Sequence, residues 1–437
     1  MVYLQYVQRA TVLFRVVRRV HLMRNLLLVL ALALAGCVSA LDPVIYPDID
    51  SEWKLYGATL LTAKQKDVIA GSYYVDAGKD QFGDTIAIRH EGDRIAMYSS
   101  KNVVFVTGYF GIRDTSARLL ATYRSISGSN AGLLDMYAVN NDGFKDVTKG
   151  SGQGRDLTLQ GMLKINGQNV SVRLIKKGTI NTRIRGFQII AHRGGGRNSE
   201  RLGYSENSIE IMRFASWLGA TAIEIDVMRT KDSIPIIFHD PTFSPRTVKS
   251  PYIIGPVEKY TLAQMRAATT LINGEKIPTL REALKAVIDS TMLSMVWLDV
   301  KAYKAMDSII AIAKEMNNYA QSLGKKNKLQ ILVGIPDEDV LKAYRESTLK
   351  GSVAVLCELG VDVARELNAA VWAPRFTAGL QEDLVKQMQS EGRQVYVWTL
   401  DDEAFMRKFL DADIFDGVLT NYPTMLAAIF YTKGIKF

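Results

Sequence analysis

Cysteine is nearly absent from this 437-residue chain, which has only Cys37 and Cys357. Two cysteines cannot build the disulfide framework of a small secreted scaffold. Cys357, inside the apolar run VAVLCELG, reads as core filler rather than nucleophile. Histidine is scarce too: His21, His90, His192 and His239 are the full set. No block of like charges with interleaved aromatics occurs, which argues against nucleic-acid binding. Charged residues make up 23%, close to the globular average, so wholesale disorder is excluded. The formal charge is +9, but Arg9, Arg15, Arg18, Arg19 and Arg24 lie in a stretch with no Lys, Asp or Glu. Nine minus these five leaves about +4, too little for long-range steering. What is plentiful is apolar material, 48% of residues, enough for one large domain or two ordinary ones.

The N-terminal stretch is set apart. From Asn25 it reads NLLLVLALALAGCVSA, an apolar run after Arg24 that ends in small residues, as a secretory signal does. The run falls short of the roughly twenty residues that span a bilayer. Leu34-Ala35-Gly36-Cys37 resembles the bacterial lipobox. That resemblance implies a lipidated Cys37 as the new N-terminus. The protein would then be exported and lipid-anchored in the bacterial cell envelope, in the periplasm or on the outer surface, with membrane contact through the anchor. The basic stretch before Met23 is longer than an ordinary n-region, and Met23 is an alternative start. Residues 1–36 are read as signal segment and 37–49 as a tether.

Residues 50–180 carry short runs rich in Val, Ile, Tyr and Thr. Examples are TIAIRH, RIAMYSS, VVFVTGYF and LLDMYAV, divided by turn signals at Gly92-Asp93, Asn141-Asp142-Gly143 and Asn166-Gly167. The alternation of polar and apolar residues predicts a small antiparallel β-domain, a sandwich or an open barrel. Over 186–430 the pattern changes. Apolar strands (FQIIAH, TAIEIDV, IPIIFH, MVWLDV, LQILVGI, VAVLCEL, VYVWTL, DGVLT) alternate with amphipathic helices, and AAVWAPRF is read as irregular. This predicts a parallel α/β sheet, a TIM (β/α)8 barrel by its size, with a doubly wound sheet as the alternative.

Ionisable residues gather at the ends of the first four of these strands: His192-Arg193, Glu224 with Asp226, His239-Asp240, and Asp299 with Lys301. Glu224 and Asp226 are two apart and share a face. Two carboxylates side by side in a barrel core repel unless a cation joins them. With Asp299 they form a hard-metal set for Mg²⁺ or Ca²⁺. The bland alternative pairs them with Arg193 and Lys301 in a structural network. His192 and His239 suit acid–base work near neutral pH, and Arg193 and Lys301 suit a phosphoryl group. His90 sits in a polar turn and reads as solvated.

These motifs resemble the glycerophosphodiester phosphodiesterase family. They are the opening His192-Arg193-Gly194 with Glu206-Asn207, then Glu224-Ile225-Asp226 and Thr230, Asp232, Pro235, His239 and Asp240. Arg246-Thr247, Pro278-Thr279-Leu280, Val397-Trp398-Thr399 and Asp416-Gly417 through Pro423 follow. The resemblance covers about residues 186–430 and implies a divalent metal on Glu224, Asp226 and Asp299. It implies catalytic His192 and His239, and phosphate or substrate contact by Arg193, Lys301 and Trp398. The implied reaction is attack by the substrate's own glycerol hydroxyl, giving a cyclic phosphate that water opens to glycerol phosphate and an alcohol. Departures are Asp299 for the usual Glu, Ser205 for Pro, Asn421 for Asp, and an insert, Gly195 to Tyr204. Trp297, Trp372 and Trp398 are candidate pocket walls, with the barrel core as the other reading. Two further readings are a phosphatidylinositol- or sphingomyelin-cleaving enzyme and a non-catalytic surface-binding lipoprotein. The former needs an apolar rim, and no exposed apolar loop stands out. Sequence assigns no role to the β-domain, no headgroup and no oligomeric state.

Overall fold

The computed structural model describes residues 44–128, 130–180, 186–249, 252–324 and 329–434. Cys37, the signal segment and most of the tether lie outside them. The first strands are β1 (Thr59–Leu60), β2 (Gly71–Ala77), β3 (Thr85–Glu91), β4 (Arg94–Ser99) and β5 (Val104–Arg113). They are followed by β6 (Ser116–Ser125), β7 (Asn130–Ala138), β8 (Thr158–Ile165) and β9 (Gln168–Gly178). From β2 on, each strand pairs antiparallel with the next, and β9 returns to β2. The sheet expected as a sandwich or an open barrel is therefore a closed eight-stranded ring. Long, tight pairing at β5–β6 and register shifts at Ser72/Tyr73 and Val75/Ala77 bend the sheet shut. Closure leaves no edge among these eight strands. Inward residues such as Val106, Leu119, Tyr123, Leu134 and Leu174 form an apolar core of their own. Outward residues of β3–β5, Ala87, Ala96, Tyr98 and Phe105, belong to the core of the second domain instead.

The second domain adds β10 (Gln188–Ala191), β11 (Ala222–Arg229), β12 (Pro235–Ile237), β13 (Thr242–Phe243), β14 (Gly255–Pro256) and β15 (Met295–Val300). Then come β16 (Gln330–Ile335), β17 (Ala354–Cys357), β18 (Val371–Trp372), β19 (Gln394–Val397) and β20 (Gly417–Thr420). Strands β10, β11 and β15–β20 form a ring of eight parallel staves, closed by β10 between β11 and β20, which is the TIM barrel. Its helices start where the sequence caps them. Thr279 accepts from the Glu282 backbone N–H while the Glu282 side chain accepts from that of Thr279, so the Pro-Thr-Leu motif is a capping box.

Two strand expectations are exchanged. Pro235–Ile237 is not a stave: it pairs antiparallel with β11, Val227 opposite Ile237. Only five residues, 230–234, separate it from β11, and a parallel return needs a dozen or more. The stretch read as irregular supplies the missing stave, β18, parallel to both β17 and β19. Residues 238–249 and 252–277 then form a side lobe with its own core of Phe243, Val257 and Met265.

The helix Pro423–Thr432 is buried along nearly its whole length. Phe430 stacks on Phe187 at 4.7 Å, and Tyr431 accepts from Arg89 of the first barrel at 2.6 Å. A helix apolar on every side is one that is covered on every side. Among the described residues no helix is long and apolar enough to cross a membrane.

Candidate active site

Side chains alternate in and out along a stave, and that parity builds the site. Ile190, Ala222, Trp297, Leu356, Tyr396 and Leu419 form one apolar layer inside the barrel. Two residues further toward each C-terminal end come His192, Glu224, Asp299, Glu358, Trp398 and Asn421, with Asp226 above Glu224. Asp226 and Asp299 are direct partners in the β11–β15 register.

Oxygens of Glu224, Asp226 and Asp299 lie within 4.8 Å of one another. Glu224 and Asp226 are buried, and Glu224 Oε1, Asp226 Oδ1 and Asp299 Oδ1 have no hydrogen-bond donor. Burial, then the charges of Asp226 and Asp299, pushes the Glu224 carboxyl well above its ordinary range. Three orphaned carboxylate oxygens in one spot fit a hard divalent cation. Lys301 is the local counter-charge, 2.5 Å from Asp299 and 3.4 Å from Asp226. The two acids raise its pKa against the effect of burial. Asp226 is also oriented by Asn207, whose Nδ2 donates to it at 2.8 Å.

Arg193 does not neutralise this trio with its guanidinium. Its backbone N–H donates to Glu224 at 2.8 Å, from a residue held at φ 53°. The guanidinium donates to Glu206 at 3.0 Å and to His239 Nε2 at 2.8 Å, and its buried Nε has no partner. His239 Nδ1 donates to Asp240 at 2.7 Å, and Arg246 holds both Asp240 and Glu206. The structural-network alternative therefore accounts for Lys301 but not for Arg193.

His192 is fixed from the other side. Asn421 Nδ2 donates to Asp401 at 2.6 Å, which turns Asn421 Oδ1 toward His192 Nδ1 at 2.8 Å. Nδ1 then carries the proton, and Nε2, 3.7 Å from Glu224, keeps its lone pair for the site. Burial pushes this imidazole down to about 4, so it is neutral at pH 7. Asn421, one of the departures noted from sequence, thus sets the tautomer.

The other expectations divide. Trp398 reaches the mouth, but its Nε1 donates to the Ala373 carbonyl at 2.8 Å and Arg375 covers one face at 4.5 Å. Trp297 and Trp372 are core, not pocket wall. His90 pairs with Asp67 at 3.2 Å, away from the site. Sequence reasoning missed Glu358, an inward acid with an unpartnered, buried Oε1. Burial, then the charge of Asp299, raises its pKa well above the ordinary range. Counting two residues on from Leu356 would have found it.

With the geometry established, comparisons add the relatives. The profile of the glycerophosphoryl diester phosphodiesterase family matches residues 192–425. The probable glycerophosphodiester phosphodiesterase 2 of Mycobacterium tuberculosis is 27% identical over 264 residues, covering 56% of this chain and 91% of the relative. The glycerophosphodiester phosphodiesterase of Caldanaerobacter subterraneus is 25% identical, covering 54% of this chain and 95% of its own. A solved phosphodiesterase from Oleispira antarctica, in complex with the product sn-glycerol-3-phosphate, is similar over 55% of this chain and 94% of that one. Its identity is 24% and its TM-score 0.43. The antiparallel barrel lies outside the matched residues.

Proposed function

This chain belongs to the glycerophosphoryl diester phosphodiesterase family and is a phosphoric diester hydrolase, and from that premise we propose a metal-dependent cleavage in which His192 and His239 share the proton transfers. The observation that carries the reading is the cluster at one end of the barrel: three carboxylates with orphaned oxygens, the imidazoles of His192 and His239, and the cations of Arg193 and Lys301. Glu224, Asp226 and Asp299 would hold Mg²⁺ or Ca²⁺, which when bound supplies positive charge to the phosphoryl oxygens.

The remaining work falls to the chain's own side chains. Arg193, with its free Nε–H, and Lys301 bind the non-bridging phosphate oxygens as these gain negative character. One imidazole takes the proton of the substrate's glycerol hydroxyl as its oxygen bonds to phosphorus. The other, entering the step as the imidazolium, gives its Nε2 proton to the departing alcohol oxygen as that oxygen's bond to phosphorus breaks, and the roles reverse as water opens the cyclic phosphate. Asn421 and Asp240 keep each ring in the tautomer this needs.

The test uses a form starting at Val38. Glycerol phosphate release is followed from glycerophosphocholine, glycerophosphoethanolamine and glycerophosphoinositol, with Mg²⁺ or Ca²⁺ and with EDTA. Metal-dependent release supports the reading, and release unaffected by EDTA removes the metal from it. A second reading, action on an intact lipid, draws on Tyr252 and Ile254, which are 89% and 72% exposed on the side lobe. They are exposed apolar residues of the kind that reading needs. Cleavage of phospholipid vesicles without cleavage of the small diesters would favour it.

For the N-terminus, we read Cys37 as lipidated and the protein as held at a bacterial membrane. Palmitate labelling that persists in Cys37→Ser would end that reading.

A further inference from the structure

Building on the phosphodiesterase reading, we propose that the antiparallel barrel is a positioning element for the active site, acting through Arg124 and Tyr46 on the loop that follows β10. Arg124 stands on the outward face of β6 and is fully buried. Its Nη2 donates to the carbonyl oxygens of Glu200 at 3.0 Å and Arg201 at 3.4 Å, and its Nη1 to that of Ser125. The Tyr46 hydroxyl donates to the next carbonyl, Leu202, at 3.2 Å. Three successive carbonyls are held by side chains from outside the catalytic barrel.

Among the described residues no carboxylate pairs with Arg124, and burial lowers its pKa. A cation buried against carbonyls and the Tyr46 hydroxyl, with no carboxylate, is a poor way to fill space, because an apolar side chain of similar length packs without losing hydration. What the guanidinium adds is directional grip on backbone.

The gripped carbonyls are the tip of a closed loop. At its base, Asn198 N–H donates to Glu206 at 3.0 Å, and Glu206 N–H donates to Asn198 Oδ1 at 2.9 Å. Glu206 receives Arg193, and Asn207 donates to Asp226. Tip and base together carry a restraint from the first barrel to a phosphate-binding arginine and a metal-site acid. The two pieces by which this chain departs from its family, the loop insert and the extra barrel, meet each other here.

The experiment compares Arg124→Met, Arg124→Lys and Tyr46→Phe with Arg118→Met. Arg118 lies on the same strand, paired with Glu52 and Asp135. Readouts are kcat and KM on a glycerophosphodiester, and hydrogen exchange over residues 195–208. In Arg124→Met, kcat is expected to fall roughly tenfold to a hundredfold with KM little changed, and the Asn198, Glu206 and Asn207 amides to exchange faster. Arg124→Lys recovers part of the rate, and Tyr46→Phe moves the same readouts less. Arg118→Met leaves kcat and loop exchange alone even where it lowers Tm. Unchanged loop exchange in Arg124→Met, or an equal loss of kcat in Arg118→Met, overturns the proposal. If Arg124→Met does not fold, Tyr46→Phe carries both readouts. A wild type inactive on every diester sinks the phosphodiesterase reading alone, and loop exchange still decides this one.

Discussion

The chain closes two eight-stranded barrels by different pairings, and they handle their interiors differently. The antiparallel one is apolar along its inward positions, from Val75 and Ile86 to Leu163 and Leu174. Its charged exception is Lys176, two residues beyond Leu174, which is buried and donates to the Val68 carbonyl. The parallel one has an equally apolar layer, but the next layer carries three acids and an imidazole. Strand direction explains the contrast. Antiparallel neighbours alternate their ends, so hairpin turns such as Asn166-Gly167 close both rims. Parallel staves all end on one rim, and each opens there into a loop long enough to carry a functional group. A charge at that rim has room for a ligand, whereas Lys176 inside the first barrel is held by a backbone carbonyl with the Asp146 charge nearby.

The contrast is most easily broken at the charged rim of the parallel barrel. His192→Ala and His239→Ala should each lower kcat by roughly 10²- to 10⁴-fold while thermal unfolding stays within a few degrees. Wild-type rate in either variant breaks the two-histidine scheme. Glu224→Gln should abolish divalent-cation binding by calorimetry yet stabilise the metal-free protein. The sign follows from a carboxyl raised above its unfolded value. It binds a proton more tightly when folded, so metal-free stability is lost as pH rises above its ordinary value of 4.5. A metal-free Glu224→Gln protein less stable than wild type would show that the trio is structural.

The same reasoning reaches the first barrel with the opposite functional outcome. Burial lowers the Lys176 ammonium to about 8. The unfolded chain then binds more protons between pH 8 and 10.5, and stability rises with pH across that window. Lys176→Met should flatten this slope and add on the order of 2 kcal/mol at pH 7, with kcat unchanged. A fall in kcat would mean that the first barrel touches the chemistry by a route other than Arg124. Asp299→Glu should change kcat by only about threefold while shifting the balance between Mg²⁺ and Ca²⁺. Complete loss would mean the pocket is shaped for the shorter acid.

What was legible in the sequence was local. Glu224 and Asp226 share a face because parity is a two-residue rule, and Thr279 caps its helix because the partner is three residues away. The eight strands of the first barrel show in their own alternation, but their closure depends on β9 meeting β2 across about a hundred residues. The same distance hides Asn421, 229 residues from the histidine it orients, and Arg124, 76 residues from the carbonyl it holds. The exchange of β12 for β18 was legible and was missed. Five linking residues already forbid a parallel return.

The helix Pro423–Thr432 also has a meaning in time. It covers Tyr98, a residue synthesised more than three hundred residues earlier. At roughly 5–20 residues per second, the first barrel waits for tens of seconds on the ribosome with that apolar face open. A nascent chain in this state is a client for whatever masks sticky surface during translation. The helix that fastens the two barrels is also what ends that dependence.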